Sequence, residues 1–255
     1  MPSIYCFSGT GNSLFAATQI AKGINAEVLS MTNAVNTCNE NVIGFIFPTY
    51  YWGLPRTVKR FVKELVITSD NPYIFAVTSY GTSFYGALEL LDKILRKKGA
   101  KIDYGYGLKS VENYIPGYKI NNTDEIIAHY NEGLKEITSD VAKKALKNFS
   151  RFTIVSKLGG LFFPANNCDK LFTVSEECTG CGLCRDICPS GNINVENEKP
   201  VFLHHCEHCI SCVHICPNKA LDWKNGAVKH GRYRHPDVSV KDLIANTGKV
   251  QGSTK

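Results

Sequence analysis

SIYCFSGTGNSLFAATQIAK, residues 3–22, reads in three pieces. Residues 3–7 are a short apolar run suited to a buried strand. FSGTGNS, residues 7–13, is a turn of glycines and hydroxyls. Residues 13–22 then place Leu14, Ala17, Ile20 and Ala21 on one helical face. A strand that runs through a glycine turn into a helix opens a parallel α/β sheet, and it offers helix-start N–H groups to an anion. The turn is not a triphosphate loop, because no lysine occurs between Pro2 and Gln19. It is not a dinucleotide fingerprint either, because Leu14 stands where the third glycine belongs. Ser8, Thr10, Asn12 and Ser13 around Gly9 and Gly11 suit a monophosphate bound without a cationic side chain.

Outward from this stretch, residues 26–31, 42–47, 73–78 and 102–108 read as strands. Residues 57–66, 84–98 and 124–147 read as helices, the second ending at Gly99. Five strands interleaved with helices predict an α/β fold with a doubly wound, five-stranded parallel sheet. The link over 32–41 is so short that little or no helix is expected there. Two more loops fall at the sheet's carboxyl edge, PTYYWGLP (48–55) and SYGTSFYG (79–86). Their aromatics, Tyr50, Tyr51, Trp52, Tyr80 and Tyr85, either sandwich a flat ring or pack as core.

Composition shifts near residue 150. Residues 151–171 carry no period and read as a linker, followed by a duplicated module. Cys178, Cys181, Cys184 and Cys188 recur as Cys206, Cys209, Cys212 and Cys216, each run ending in proline. In the C-x2-C-x2-C-x3-C-P spacing the fourth cysteine ligates the other cluster. Cys178, Cys181, Cys184 and Cys216 are therefore expected to hold one [4Fe-4S] cluster, and Cys206, Cys209, Cys212 and Cys188 the second. Zinc suits four cysteines packed into eleven residues poorly, since it favours separated CxxC pairs. Of the remaining cysteines, Cys6 reads as core, and Cys38 and Cys168 as ordinary thiols. His204, His205, His208 and His214 flank a full ligand count and read as exposed or as supporting groups.

The first ~150 residues resemble a flavodoxin, and the rest resembles a bacterial two-cluster ferredoxin. Together they look like the flavodoxin–ferredoxin fusion proteins of anaerobes, down to the G-R-Y-R-H-P segment at 231–236. The resemblance implies a flavodoxin-like FMN-binding domain over 1–150 and a small α+β ferredoxin-like domain with two clusters over 172–235. A C-terminal tail over 236–255 would follow. It assigns the FMN phosphate to Ser8, Thr10, Gly11, Asn12 and Ser13. It assigns the isoalloxazine to Thr49, Tyr51, Trp52 and Gly53 on one loop and to Ser79, Tyr80 and Gly81 on the other, with the Gly53 peptide beside the flavin N5. The chain departs from ordinary flavodoxins in lacking a long second helix and an acidic surface, which bears on its choice of partner.

The formal charge of +6 invites a nucleic-acid reading. Two clusters at roughly −2 each with their thiolates, and a phosphate of up to about −2, bring the balance close to zero. Nucleic acid is accordingly not expected. Neither is a membrane span, as no stretch approaches ~18 apolar residues. With no secretory peptide in MPSIYCF, the cysteines fit a cytoplasmic protein. The expected function is an electron relay between the clusters and FMN, passing electrons between a low-potential donor and a redox partner protein. A flavin-dependent reductase of a quinone or nitro compound is the alternative, and a redox sensor a third class. The basic residues Lys224, Lys229, Arg232 and Arg234 either dock an acidic carrier or form a solvated face.

Overall fold

The computed structural model of the chain describes residues 1–149 and 168–248. The linker expected over 151–171 therefore lies outside the described residues up to 167, as does the end of the expected tail.

Strands β1 (Ser3–Cys6), β2 (Glu27–Ser30), β4 (Val42–Pro48), β6 (Tyr73–Tyr80) and β7 (Tyr104–Lys109) form one sheet in the order β2-β1-β4-β6-β7. Every pairing in it is parallel; β4 is bonded along its full length, Val42 opposite Tyr73 through Pro48 opposite Ser79. The fragments β3 (Thr37–Cys38) and β5 (Val66–Ile67) pair beside it. No helix forms between β2 and β4, as the short link dictates. This is the flavodoxin-like doubly wound order, whose ligand crevice opens where the winding reverses, here between β1 and β4.

Alternation along the strands divides the core in two. Tyr5, Phe7, Phe45, Phe47 and Ile74 face α2 (Arg56–Glu64) and α3 (Ala87–Arg96). Ile4, Cys6, Ile46, Phe75 and Val77 face α1 (Asn12–Ile24) and α4 (Thr123–Ala142). Two helices differ from the expected spans. α3 starts at Ala87 because Gly86 takes φ 86 as its cap. α4 stops at Ala142, after which the chain turns back so that Gly105 N donates to Lys147 O (3.0 Å) and Lys147 N to Asp103 O (3.0 Å).

After a single 3-10 turn at Cys168–Leu171, the C-terminal part is built from short pieces. β8 (Phe172–Val174) pairs antiparallel with β11 (Leu221–Trp223), and β9 (Ile193–Glu196) with β10 (Lys199–Phe202). Each cysteine run leads into a short helix, α5 (Leu183–Asp186) and α6 (Ser211–Ile215). α7 (Gly226–His230) follows. α8 (Val240–Asn246) lies within the stretch expected as a tail. Its Ser239–Asp242 capping box fixes its start, and Leu243 and Ile244 are buried. The core on the α1/α4 side continues through Ile187, Ile210, Val213, Trp223 and Leu243. The cysteine module is therefore packed against the sheet domain through a shared apolar core.

Candidate functional site

The carboxyl ends of β1, β4 and β6 converge on a cavity of about 250 Å³. Of the residues expected there, Ser8, Thr10, Asn12, Ser13, Thr49, Tyr51, Trp52, Ser79, Tyr80 and Gly81 line it. Gly11 and Gly53 are not part of the wall. Gly11 adopts φ 107, and a Cβ there would come within 2.9 Å of His235 Cβ, so the C-terminal segment crosses the turn at this glycine. Gly53 pairs back with Tyr50 through two backbone bonds (3.1 and 2.9 Å), with Tyr51 (φ 48) and Trp52 (φ 58) at the tip. Two bulky left-handed residues in succession are costly, and such strain persists where the surroundings hold it at a functional site.

The glycine–hydroxyl turn is tied down from several sides. Gly11 N donates to Ser8 Oγ (3.2 Å), Asn113 Nδ2 to Thr10 Oγ1 (2.7 Å), and Tyr233 OH to Asn12 Oδ1 (2.7 Å). His235 N donates to Thr10 O (2.9 Å), and Ser13 Oγ bonds to Ser79 Oγ (2.8 Å). No side chain caps α1 and no acidic residue occupies its first turn. First-turn N–H groups have no intrahelical partner, so they face the cavity end as an anion site. Among the described residues, the wall contains no lysine or arginine.

The sequence reading missed two sets of wall residues. Val111, Glu112, Asn113, Tyr114 and Tyr118 come from the loop after β7, and His208, Cys209 and Ile210 from the second cysteine run. One signal for the latter was present: Thr179-Gly180 of the first run becomes Glu207-His208 in the second. His208 keeps the backbone of the glycine it replaces, with φ 57 against 68. Its ring stacks on Tyr51 (5.8 Å, 11°), meets Trp223 at 4.7 Å, and shares a hydrogen bond through Nδ1 with Tyr51 OH. Burial lowers its pKa to about 4, as it does for His214. Both were expected at most as supporting groups. His214 Nε2 bonds to Asn113 O (2.8 Å), tying the second run to the cavity wall.

Glu207 binds the two parts together. Its Oε1 accepts from Thr57 N (3.1 Å) and its Oε2 from Thr57 Oγ1 (3.1 Å). α2 has Pro55 before it and no side-chain cap of its own, so this carboxylate, 150 residues away, caps it. Arg56 donates to Cys206 O beside it.

The cysteines gather as two quartets. Cys178, Cys181, Cys184 and Cys216 line a small cavity of about 30 Å³. Cys188, Cys206, Cys209 and Cys212 line another of about 10 Å³. Among the described residues, no three His, Cys, Asp or Glu side chains close on a point fit for one metal ion; the quartets surround spaces instead. Burial raises Cys184 to about 11 and Cys209 to about 12. These sulfurs become thiolates only against a positive centre, which is what iron supplies. The second quartet also carries hydrogen-bond donors: His208 N to Cys206 Sγ (3.3 Å), Asn192 N to Cys188 Sγ (3.2 Å) and Ser211 Oγ to Cys209 Sγ (3.1 Å). Cys168, read as an ordinary thiol, hydrogen-bonds to Cys206. Arg232, read as surface charge, is spent internally on the carbonyls of Lys219 and Leu221 (both 2.8 Å).

Residues 170–217 match the family described as the 4Fe-4S dicluster domain. A polyferredoxin of Methanothermus fervidus is 33% identical over 69 residues, 27% of this chain and 14% of that protein. A ferredoxin of Methanocaldococcus jannaschii is 37% identical over 51 residues, 18% of this chain and 66% of that protein. The chain thus spans a small part of the first relative and about two thirds of the second. The flavodoxin of Megasphaera elsdenii aligns over 53% of this chain and 99% of its own, with TM-score 0.36 and 18% identity. The fold assignment rests on strand order and pairing. A flavodoxin-like fold and a 4Fe-4S dicluster segment are joined in one polypeptide. Among the described residues, no helix is long and apolar enough to cross a membrane.

Proposed function

We propose that the chain is an intramolecular electron relay between two [4Fe-4S] clusters and FMN, serving a redox partner protein. One observation carries this reading: Cys209 lines both the sheet-edge cavity and the cavity of the second quartet. When bound, FMN exchanges one or two electrons and each cluster one. The first quartet would hold one cluster and the second quartet the other. Ser8, Thr10, Asn12 and Ser13, with the first-turn N–H groups of α1, would hold the phosphate. Tyr51, Trp52 and Tyr80 would bracket the ring. A monophosphate fits better than a dinucleotide because the turn lacks the third glycine. The domains in this reading are 1–150 and 172–235, joined by 151–171.

The chain's own contribution is to fix the distance between the sites and keep water from between them. His208, Cys209 and Ile210 roof the sheet-edge cavity, and His208 and Ile210 are buried to within 4%. Anaerobically purified protein should contain about eight irons with matching sulfide, and release one FMN. Eight irons without flavin would remove the sheet domain from the relay. Zinc in place of iron would overturn the reading. A flavin-dependent reductase of a small acceptor is favoured by one feature only, the half-exposed Trp52 and Tyr118 (44% each) on the cavity wall. Steady-state turnover of a quinone or nitro compound without a protein partner would establish it.

A further inference from the structure

Tyr50 stands on the wall of the sheet-edge cavity without an assigned role, and its hydroxyl is, with His208 Nε2, one of the buried orphans of the site. The oxygen is buried and, among the described residues, has no hydrogen-bond partner. Leaving such a group unsatisfied is costly, so a buried orphan of this kind calls for an acceptor. The ring is held firmly. Tyr50 is locked by its paired backbone bonds to Gly53, and its ring meets Phe7 edge-on (6.2 Å, 81°). The hydroxyl is therefore aimed rather than free to search.

Gly9 shows what lies beside it. A Cβ placed on Gly9 would sit 3.0 Å from the Tyr50 hydroxyl oxygen, 3.2 Å from Ser211 Oγ and 3.3 Å from Cys209 Cβ. These three groups crowd around one point, where the phosphate turn and the second cysteine run touch. Ser211 already donates to Cys209 Sγ (3.1 Å). Glu207, the other acidic group in reach, has both oxygens engaged by Thr57.

We propose that the Tyr50 hydroxyl, supplied by the sheet domain, donates a hydrogen bond to the sulfur shell of the second cluster beside Cys209, not to the Cys209 sulfur itself, and tunes its reduction potential. This rests on the reading that the second quartet holds a cluster. Hydrogen bonds to cluster sulfurs stabilise the more negative, reduced state and raise the potential. Among the described residues, Cys206, Cys188 and Cys209 each accept such a bond from within the C-terminal part. Tyr50 would add one that exists only while the two parts are docked. The potential of the cluster nearest the flavin cavity would then depend on the sheet domain being in place.

The test is Tyr50→Phe, which removes one oxygen and keeps the ring against Phe7. Iron, sulfide and flavin are quantified first, and the two cluster potentials are then measured by redox titration followed by electron paramagnetic resonance. The expected result is a full iron complement, a negative shift of one potential and no change in the other. Ser211→Ala should shift the same cluster in the same direction. Both potentials unchanged in Tyr50→Phe at eight irons per chain would overturn the inference alone. Fewer than eight irons in the unsubstituted protein would overturn the cluster reading and this inference with it.

Discussion

The two cysteine runs share a spacing and a backbone but differ in surroundings. In the first, Gly180 (φ 68) and Gly182 (φ 77) take left-handed conformations and Cys181 is exposed. In the second, His208 (φ 57) and Ile210 (φ 58) occupy the equivalent positions and are buried at 4% and 2% exposure. A left-handed residue other than glycine costs about 1–2 kcal/mol. That cost is accepted twice in the second run because the two side chains roof the sheet-edge cavity. One copy of the duplicated module has become an internal contact, and the other has kept the open form. In the proposed relay, this difference puts the first quartet toward solvent and the second toward the sheet-edge cavity.

The sharpest way to break this contrast is to give the first run a side chain where it has none. A Cβ at Gly180 would lie 2.8 Å from Glu198 Cα and 2.9 Å from Glu198 O, on top of an unfavourable φ. Backbone cannot yield cheaply, so Gly180→Ala should unseat the first quartet and lose about half of the iron. The second quartet and the flavin should be retained, because Gly180 lines the first quartet's cavity and neither of the other two. Loss of all iron and flavin together would show that the two sites are not independent.

A second test concerns the contact itself. Glu207→Ala leaves Thr57 N and Oγ1 unpaired in a buried place and uncaps α2. The expected loss is roughly 1–3 kcal/mol, read as a fall in Tm. The equivalent position of the first run, Thr179, is exposed, and Thr179→Ala should stay within about 0.5 kcal/mol. Equal effects at the two positions would erase the asymmetry.

How much of this was legible beforehand follows from the range of each signal. The strand–turn–helix alternation and the cysteine spacing are local, and they carried the fold class, the family model's segment and the cysteine sets. Glu207 was visible as a departure from the first run, but its role as a cap was not. A cap supplied from 150 residues away leaves no mark near Pro55 and Arg56. The wall residues Val111 to Tyr114 were missed although VENYIPGY carries Tyr114, Gly117 and Tyr118, because only the loops after the first, third and fourth strands were read as site loops. The helix Val240–Asn246 carried its signature, Ser239 with Asp242 three residues on, in a stretch dismissed as tail.

The smallest expected effect is a pH dependence of stability that, of the two runs, only the second carries, since the first contains no histidine. His214 donates through Nε2 to Asn113 O and accepts at Nδ1 from Tyr233 N (3.0 Å), so it must be neutral in the folded protein. Burial, opposed by the Asn113 bond and assisted by nearby Arg232, lowers its pKa to about 4. The unfolded chain, titrating near 6.5, binds the extra proton first. Above about 6.5 the residue contributes no pH dependence; as pH falls from there toward 4, stability is lost. One unit below 6.5 the loss is about 1.4 kcal/mol, seen as a drop in Tm between pH 7.5 and 5.5. His214→Asn keeps an acceptor near the Tyr233 N–H and removes the titration, so its Tm should vary less over that range. An unchanged slope in the variant would mean that the second run's contact with the sheet domain is not what senses the proton.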